Sequence, residues 1–133
     1  MKYLVASLAL VACGSSDPVK MDAAKMDGTG SGSASTLVDV DCATNTAALT
    51  VTTTDLNMTS YTLAPANGMI NMGQVVKFQM STMHDVKPNP IAPHTDPGLD
   101  VAFGGTKCKR FTATGAFGFM CSAHGFVATI TVN

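Results

Sequence analysis

The sequence contains no tryptophan and no glutamate, and only 13% of its 133 residues are charged. Without glutamate, acid and base catalysis by side chains would depend on the aspartates and the three histidines. No pair of these residues has a spacing that suggests such a role, and no G-x-S-x-G, Walker or G-x-G-x-x-G motif occurs. The composition therefore argues against an enzyme.

The sequence also lacks any concentration of charge. The formal net charge is −1, and no long run of one sign occurs. A nucleic-acid-binding protein is expected to carry a clustered basic face, so no nucleic acid partner is expected here. With 46% hydrophobic residues, a chain of this length can bury one modest core, which predicts a single domain and a monomer.

Long hydrophobic runs are missing as well. Met1 and Lys2 precede "YLVASLALVA", an apolar run of about ten residues, whereas a membrane span needs ~20. Residues 1–12 are therefore predicted to be a signal peptide. The run ends in "LVAC", which resembles the bacterial lipoprotein box, whose cysteine is diacylated and becomes the new N-terminus. This predicts a lipid on Cys13 and an exported protein anchored at a bacterial membrane, on its periplasmic or cell-surface side. The alternative is an ordinary secretory signal with an incidental cysteine.

Residues 13–35 are rich in Gly, Ser, Ala and Asp and contain almost nothing to pack, which predicts a flexible tether. From residue 36 to residue 133 the chain changes to short β-prone runs separated by turn residues. In "QVVKFQM", Val76, Phe78 and Met80 share one face of a predicted strand. No segment has a convincing amphipathic helical period, so this part is predicted to be a small all-β sandwich.

Three further segments complete this pattern of short strands. "TLVDVDC" places Val38, Val40 and Cys42 on one face of a strand, and Phe117 and Phe119 share a face with Cys121 in "AFGFMC". "PNPIAPHTDPGL", from Pro88 to Leu99, carries four prolines, and since proline cannot donate to a β-ladder, this segment cannot be a central strand. It is predicted to be a surface excursion.

The four cysteines fall into different roles. Cys13 is the candidate for lipidation, and Cys121 lies three positions before His124, at the spacing of metal ligands. Cys42 and Cys108 remain, and in an oxidising compartment they are predicted to form a disulfide. The alternative is two free buried thiols.

The segment "CSAHGF" points to copper chemistry. A trigonal set of one thiolate and two imidazoles is the core of a blue copper site, because thiolate suits Cu(I) and imidazole suits both oxidation states. Cys121 and His124 supply two of these donors from one turn. His84 directly follows the clearest strand and is the candidate for the second imidazole.

Two longer motifs carry a resemblance to a known family. "GQVVKFQMSTMHDV" and "GAFGFMCSAHGF", Gly73–Val86 and Gly115–Phe126, resemble the cupredoxins, the small blue copper proteins that include plastocyanin and amicyanin. The resemblance covers about residues 38–132. It implies a Greek-key β-sandwich, one type 1 copper held by His84, Cys121 and His124, and electron transfer. Asp85 stands where the family usually has an Asn that ties the two ligand loops together; a carboxylate accepts hydrogen bonds but does not donate them.

The resemblance breaks down at the weak axial ligand. In the short amicyanin-like loop a methionine follows the histidine by three residues, and here that position is Val127. One interpretation is a copper held by three strong ligands with valine at the axial position, while the Met83 carbonyl approaches from the opposite side, as in some relatives. The other is a decayed site in a copper-free scaffold. The first is favoured because all three equatorial ligands are present.

The resemblance also implies how electrons leave the protein. In this family the edge of the C-terminal histidine ligand reaches the surface within an apolar patch, so His124 is the predicted exit, with Gly125 and Phe126 beside it. The implied partner is a redox protein of the cytochrome or copper oxidase type. His94, between Pro93 and Thr95, is interpreted as an exposed loop histidine. The alternatives to an electron carrier are a copper trafficking or storage protein and a copper-free interaction module.

Overall fold

The computed structural model describes residues 34–56 and 60–133. The predicted signal peptide, the lipidation residue Cys13 and nearly all of the predicted tether lie outside the described residues. The described strands are β1 (Leu37–Val40), β2 (Leu49–Leu56), β3 (Ser60–Ala64), β4 (Asn67–Ile70), β5 (Val75–Gln79), β6 (Lys87–Pro88), β7 (Thr106–Phe111), β8 (Gly115–Met120) and β9 (Val127–Val132).

These strands form two mixed sheets. One has five strands in the order β1-β7-β5-β2-β3, and the other has four in the order β4-β9-β8-β6. The pairs β2–β5 and β4–β9 are parallel, and the other neighbours are antiparallel. No helix occurs in the part of the chain that the structure describes. The predicted all-β sandwich is confirmed. None of the described residues belongs to a helix long and apolar enough to cross a membrane.

Phenylalanine dominates the core between the sheets. Phe78 of β5 meets Phe119 of β8 edge to face, with 5.5 Å between ring centroids, and Phe111 meets Phe117 in the same way at 5.1 Å. All four rings are fully buried. Burying such large side chains stabilises the fold, since each removes on the order of 150–250 Å² from water. Val76, Phe78 and Met80 face inward together, as their alternation predicts.

Strand β1 has its apolar face outward. The face shared by Val38, Val40 and Cys42 points away from the core, and the side chain of Val38 is 50% exposed. Leu37 on the opposite face is buried, opposite Phe111 of β7. Asp39 alternates with Leu37 on the same face of the strand but is 59% exposed, and it forms an ion pair with the buried amine of Lys109. Pairing with β7 sets which face is inward, and a shift of one residue would exchange the faces.

The proline-rich segment is only partly the surface excursion that its composition predicts. Lys87 and Pro88 form a two-residue edge strand paired with Met120 and Phe119. Further along, Leu99 is fully buried. The segment contains no central strand, as expected, but it packs against the domain and contributes to its core.

Asp96 joins the proline-rich segment to the start of β1. Its carboxylate is 3% exposed. It accepts hydrogen bonds from the Ser35 hydroxyl at 2.6 Å, from the Thr36 amide at 2.7 Å and hydroxyl at 2.8 Å, and from the Gly98 amide at 2.7 Å. Burial alone would raise the pKa of Asp96, but the hydrogen bonds outweigh burial and hold the pKa below its ordinary value. The carboxylate therefore stabilises the folded state in its ionised form.

Replacing Asp96 by asparagine should lower the free energy of unfolding at pH 7 by roughly 2 kcal/mol, because charge-assisted hydrogen bonds to a buried carboxylate are lost. Since the folded pKa is depressed, this contribution is complete above the ordinary Asp value of ~3.9 and is lost as pH falls through the folded pKa. Urea unfolding of the wild-type protein and the Asp96→Asn variant, measured from pH 7 to pH 3, should show that the difference between their free energies of unfolding decreases in acid.

The matched control for this substitution is Asp100→Asn. Asp100 is exposed and pairs with Lys87 at 2.7 Å on the surface. Loss of an exposed pair costs no more than about 1 kcal/mol. Equal effects of the two substitutions at pH 7 would contradict the role assigned to Asp96.

The structure contains the predicted disulfide. Cys42, just after β1, is bonded to Cys108 in β7, with 5.2 Å between the Cα atoms. That separation lies within the range that disulfides allow. Cys121 is a free buried cysteine. The bond fastens the segment that leads from β1 to β2 onto the outer face of the five-stranded sheet.

Strand pairing brings together the two loops that carry the predicted ligands. Strand β5 ends at Gln79 and leads into the loop of His84, while β8 and β9 form a hairpin in which Met120 pairs with Val127. Lys87 of β6 pairs with the same Met120. Residues just before Lys87 are therefore placed beside residues just after Met120, at one end of the sandwich.

Candidate metal centre

The hairpin connection from Cys121 to Phe126 is a tight turn held by its own backbone. The Gly125 amide donates to the Cys121 carbonyl at 2.9 Å, and the Cys121 amide donates to the Phe126 carbonyl at 3.1 Å. Gly125 has a φ of 73°, a conformation that glycine adopts without steric cost. This turn places the His124 ring next to the Cys121 thiol.

The loop of His84 is braced by the turn that precedes β7. The Gly104 amide donates to the Ser81 carbonyl at 2.9 Å and to the His84 carbonyl at 3.3 Å. Val86 and Val101 exchange two backbone hydrogen bonds of 2.9 and 3.0 Å. These bonds hold His84 in position from the side opposite the hairpin.

Three candidate ligands meet where these two loops meet. The Cys121 Sγ lies 3.5 Å from the Nδ1 atom of His84 and 3.5 Å from the Nδ1 atom of His124. The donor atoms of all three residues lie within 4.8 Å of one another. Cys121 and His84 are fully buried, while His124 is exposed. The structure thus brings together the three residues that the sequence nominated.

The donor set fits a single soft metal ion. Bonds of roughly 2.0–2.3 Å, as nitrogen and sulfur make to zinc, would place three donors around one ion at about the separations seen here. One thiolate with two imidazoles is the trigonal set typical of blue copper sites. The centre is therefore compatible with one type 1 copper.

Asp85 connects the two ligand loops. Its carboxylate is 1% exposed and accepts hydrogen bonds from the Ser122 amide at 2.7 Å and the Ser122 hydroxyl at 2.6 Å. Burial alone would raise the pKa of Asp85, but the bonds from Ser122 and from the Cys121 thiol outweigh burial and hold the pKa below its ordinary value. The tie expected at this position is present. Its partner Ser122 was not predicted from the sequence. The only signal for Ser122 in the sequence is its position directly after Cys121.

The other nominated residues lie around this centre or apart from it. His94 is exposed, and its ring stands edge-on against Phe117 at 5.0 Å, outside the three-ligand group. Val127 is the first residue of β9, and its side chain is 52% exposed. The Met83 side chain is 50% exposed. The axial roles of Val127 and the Met83 carbonyl stay predictions.

The ring of Phe126 lies beside both candidate histidine ligands. Phe126 is parallel to His124 within 4°, at 5.7 Å between ring centroids, and lies 5.4 Å from the His84 ring. The two histidine rings are 4.7 Å apart. Phe126 therefore limits the space available to the exposed His124 ring.

Comparison with solved structures identifies the fold. The oxidized state of a proline-to-alanine mutant of amicyanin matches with a TM-score of 0.51 and 15% identity, covering 74% of this chain and 99% of that one. A methionine-to-alanine mutant of amicyanin with Cu(I) matches with a TM-score of 0.50, the same identity and the same coverage. The chain has the cupredoxin fold.

A novel purple cupredoxin from Nitrosopumilus maritimus matches with a TM-score of 0.49 and 16% identity, covering 64% of this chain and 99% of that one. No protein-family model matches the chain, and no curated protein matches it in sequence. Within the cupredoxin fold, the centre lies at the end of the sandwich where the loop after β5 meets the β8–β9 hairpin.

Proposed function

We propose that this chain binds one copper ion through His84, Cys121 and His124 as a type 1 centre and carries single electrons. The observation that carries the proposal is the meeting of one buried thiol with two imidazole nitrogens, each 3.5 Å from the sulfur. Copper bound here would supply the one-electron couple, since thiolate suits Cu(I) and imidazole suits both states. The protein would act as a carrier rather than an enzyme.

The role of the surrounding chain is to keep the donors in place. The bonds of Gly104 and Val101 to the His84 loop, and the turn at Gly125, fix both ligand loops to the strands. Donors fixed in this way move little when the charge on the metal changes. A small rearrangement between oxidation states favours rapid electron transfer.

His124 is the proposed electron exit because it alone of the three ligands is exposed. Apolar side chains surround the ligand loops: Met83 is 50% exposed, Val127 52%, and Phe103, in the turn that braces the His84 loop, 51%. Asp85 is the one Asp, Lys or Arg in residues 81–86 and 121–126, and it is buried. An uncharged apolar surface suits a weak, transient contact with a redox partner.

The proposed partner is a redox protein of the cytochrome or copper oxidase type, and the protein is proposed to act as a monomer. We also propose that the protein is exported and held by a lipid on Cys13 at a bacterial membrane, on its periplasmic or cell-surface side. The apolar run before "LVAC" supports this anchor. Mass spectrometry of the membrane-extracted protein should find a diacylated N-terminal peptide that begins at Cys13.

One spectrum tests the copper proposal. Adding Cu(II) to purified protein whose Cys121 thiol is free should produce an intense visible thiolate-to-copper charge-transfer band. Ascorbate should bleach this band by reducing the copper, and ferricyanide should restore it by oxidising the copper again. Absence of the band would overturn the proposal in favour of a copper-free interaction module. A band accompanied by rapid loss of Cu(I) to a chelator would instead indicate a copper trafficking protein.

Replacing Val127 by methionine should lower the reduction potential while the blue colour persists. An axial thioether donates modestly to copper and favours Cu(II), whereas valine offers no donor and excludes water. The wild-type potential should accordingly be higher than that of the variant. Redox titration of both proteins at one pH measures the difference.

Val38→Met is the matched control, because Val38 is similarly exposed, at 50%, and lies in β1. Its potential should equal that of the wild type. An unchanged or raised potential in Val127→Met would show that residue 127 does not occupy the axial position.

A further inference from the structure

Asp85 places a buried negative charge beside the metal centre. It directly follows His84, and both of its carboxylate oxygens accept hydrogen bonds from Ser122, the neighbour of Cys121. With 1% exposure, the group is shielded from water. The carboxylate is thus fixed between two of the three candidate ligands.

The contacts of Asp85 indicate that it is ionised. One oxygen accepts from the Ser122 amide at 2.7 Å and the other from the Ser122 hydroxyl at 2.6 Å, so both oxygens act as acceptors, as those of a carboxylate do. An asparagine at this position would offer one acceptor oxygen and no charge.

No nearby cation neutralises this charge directly. Among the described residues, no salt bridge reaches Asp85. Lys87, two positions on, directs its ammonium to Asp100 at 2.7 Å, its side chain is 44% exposed, and its charge acts on Asp85 only as the smallest of the influences on that carboxylate. The field of the carboxylate therefore acts on the metal centre with little local cancellation.

We propose that the charge of Asp85 lowers the reduction potential of the copper centre, a role distinct from tying the loops together. The inference rests on the proposed function. Copper with one thiolate carries a net charge of +1 when oxidised and zero when reduced, so a fixed anion stabilises the oxidised form. The effect is larger in a protein interior than in water because the dielectric constant is lower. Asp85 thus lowers the reduction potential, whereas the absence of a donor at Val127 is proposed to raise it.

Asp85→Asn removes the charge with almost no change of size and keeps an acceptor for the Ser122 amide. The midpoint potential should rise. At a fixed ambient potential, the ratio of oxidised to reduced protein should fall roughly tenfold or more, as expected for two unit charges several Å apart in a protein. Competition with chelators should show that the variant loses more affinity for Cu(II) than for Cu(I).

Ser122→Ala separates the charge from the tie. It removes the hydroxyl that binds Asp85 but keeps the aspartate and its bond from the residue 122 amide, so the potential should stay the same or fall. Asp96→Asn neutralises another buried aspartate, which hydrogen-bonds the residues that precede β1, and should leave the potential unchanged.

The outcomes separate this inference from the proposed function. A rise in Asp85→Asn without a rise in Ser122→Ala supports the charge effect. An unchanged midpoint in Asp85→Asn, or equal rises in Asp85→Asn and Ser122→Ala, would overturn it while copper binding stands. If even the wild-type protein develops no charge-transfer band with copper, the proposed function fails and this inference fails with it.

Discussion

Replacing Cys121 by serine should abolish the intense visible band of the copper-loaded protein. Cys121 contacts both histidine nitrogens at 3.5 Å, is fully buried and is the one free cysteine among the described residues. A hydroxyl is a hard and weakly acidic donor that does not replace thiolate at a site of this type. Absorption spectra of wild-type and variant protein, recorded after addition of one equivalent of Cu(II), measure the loss.

His94→Ala is the control for this experiment, since His94 is exposed and lies outside the three-ligand group. Its band should match that of the wild type. Circular dichroism should show that both variants keep the β-sandwich. A band that survives in Cys121→Ser, or one that disappears in His94→Ala, would refute the ligand assignment.

Removing the Cys42–Cys108 disulfide should destabilise the domain by about 4 kcal/mol. The bond joins residues 66 positions apart, and a cross-link of that span strongly restricts the unfolded chain in the chain-entropy model. A loss of this size is a large fraction of the ~5–15 kcal/mol that stabilises a typical domain. Urea unfolding of the Cys42→Ala, Cys108→Ala double variant measures the loss.

Chemical reduction is the control, because it breaks the disulfide without replacing either cysteine side chain. The wild-type protein in dithiothreitol should unfold at a urea concentration near that of the double variant, and the double variant should not respond to dithiothreitol. If complete reduction of the disulfide left the urea midpoint of the wild-type protein unchanged, the Cys42–Cys108 bond would contribute little to stability.

Much of the centre could be predicted from the sequence because its ligands lie in short local patterns. His84 follows a strand with clear alternation, and Cys121 and His124 are three residues apart in one turn. Such spacings are set by backbone geometry over a few residues. The disulfide was also predictable, since few cysteines remained once the others had been assigned.

Other features depend on residues far apart in the sequence. Asp96 accepts bonds from Thr36, 60 positions away, and no local pattern links the two. The same holds for Asp85 and Ser122, 37 positions apart. The lowered pKa values of both carboxylates depend on these distant donors.

Local alternation, the Cys-x-x-His spacing and the place of His84 directly after a strand were sufficient to predict an all-β domain and the three residues of its candidate metal centre, because these patterns extend over only a few residues. They could not determine which face of β1 points inward. Val38 is apolar yet exposed, because pairing with β7 sets Leu37 against the buried Phe111 and Asp39 against Lys109. Only the tertiary structure decides such matters, since the energies of cross-strand pairs depend on partners that the chain brings together on folding.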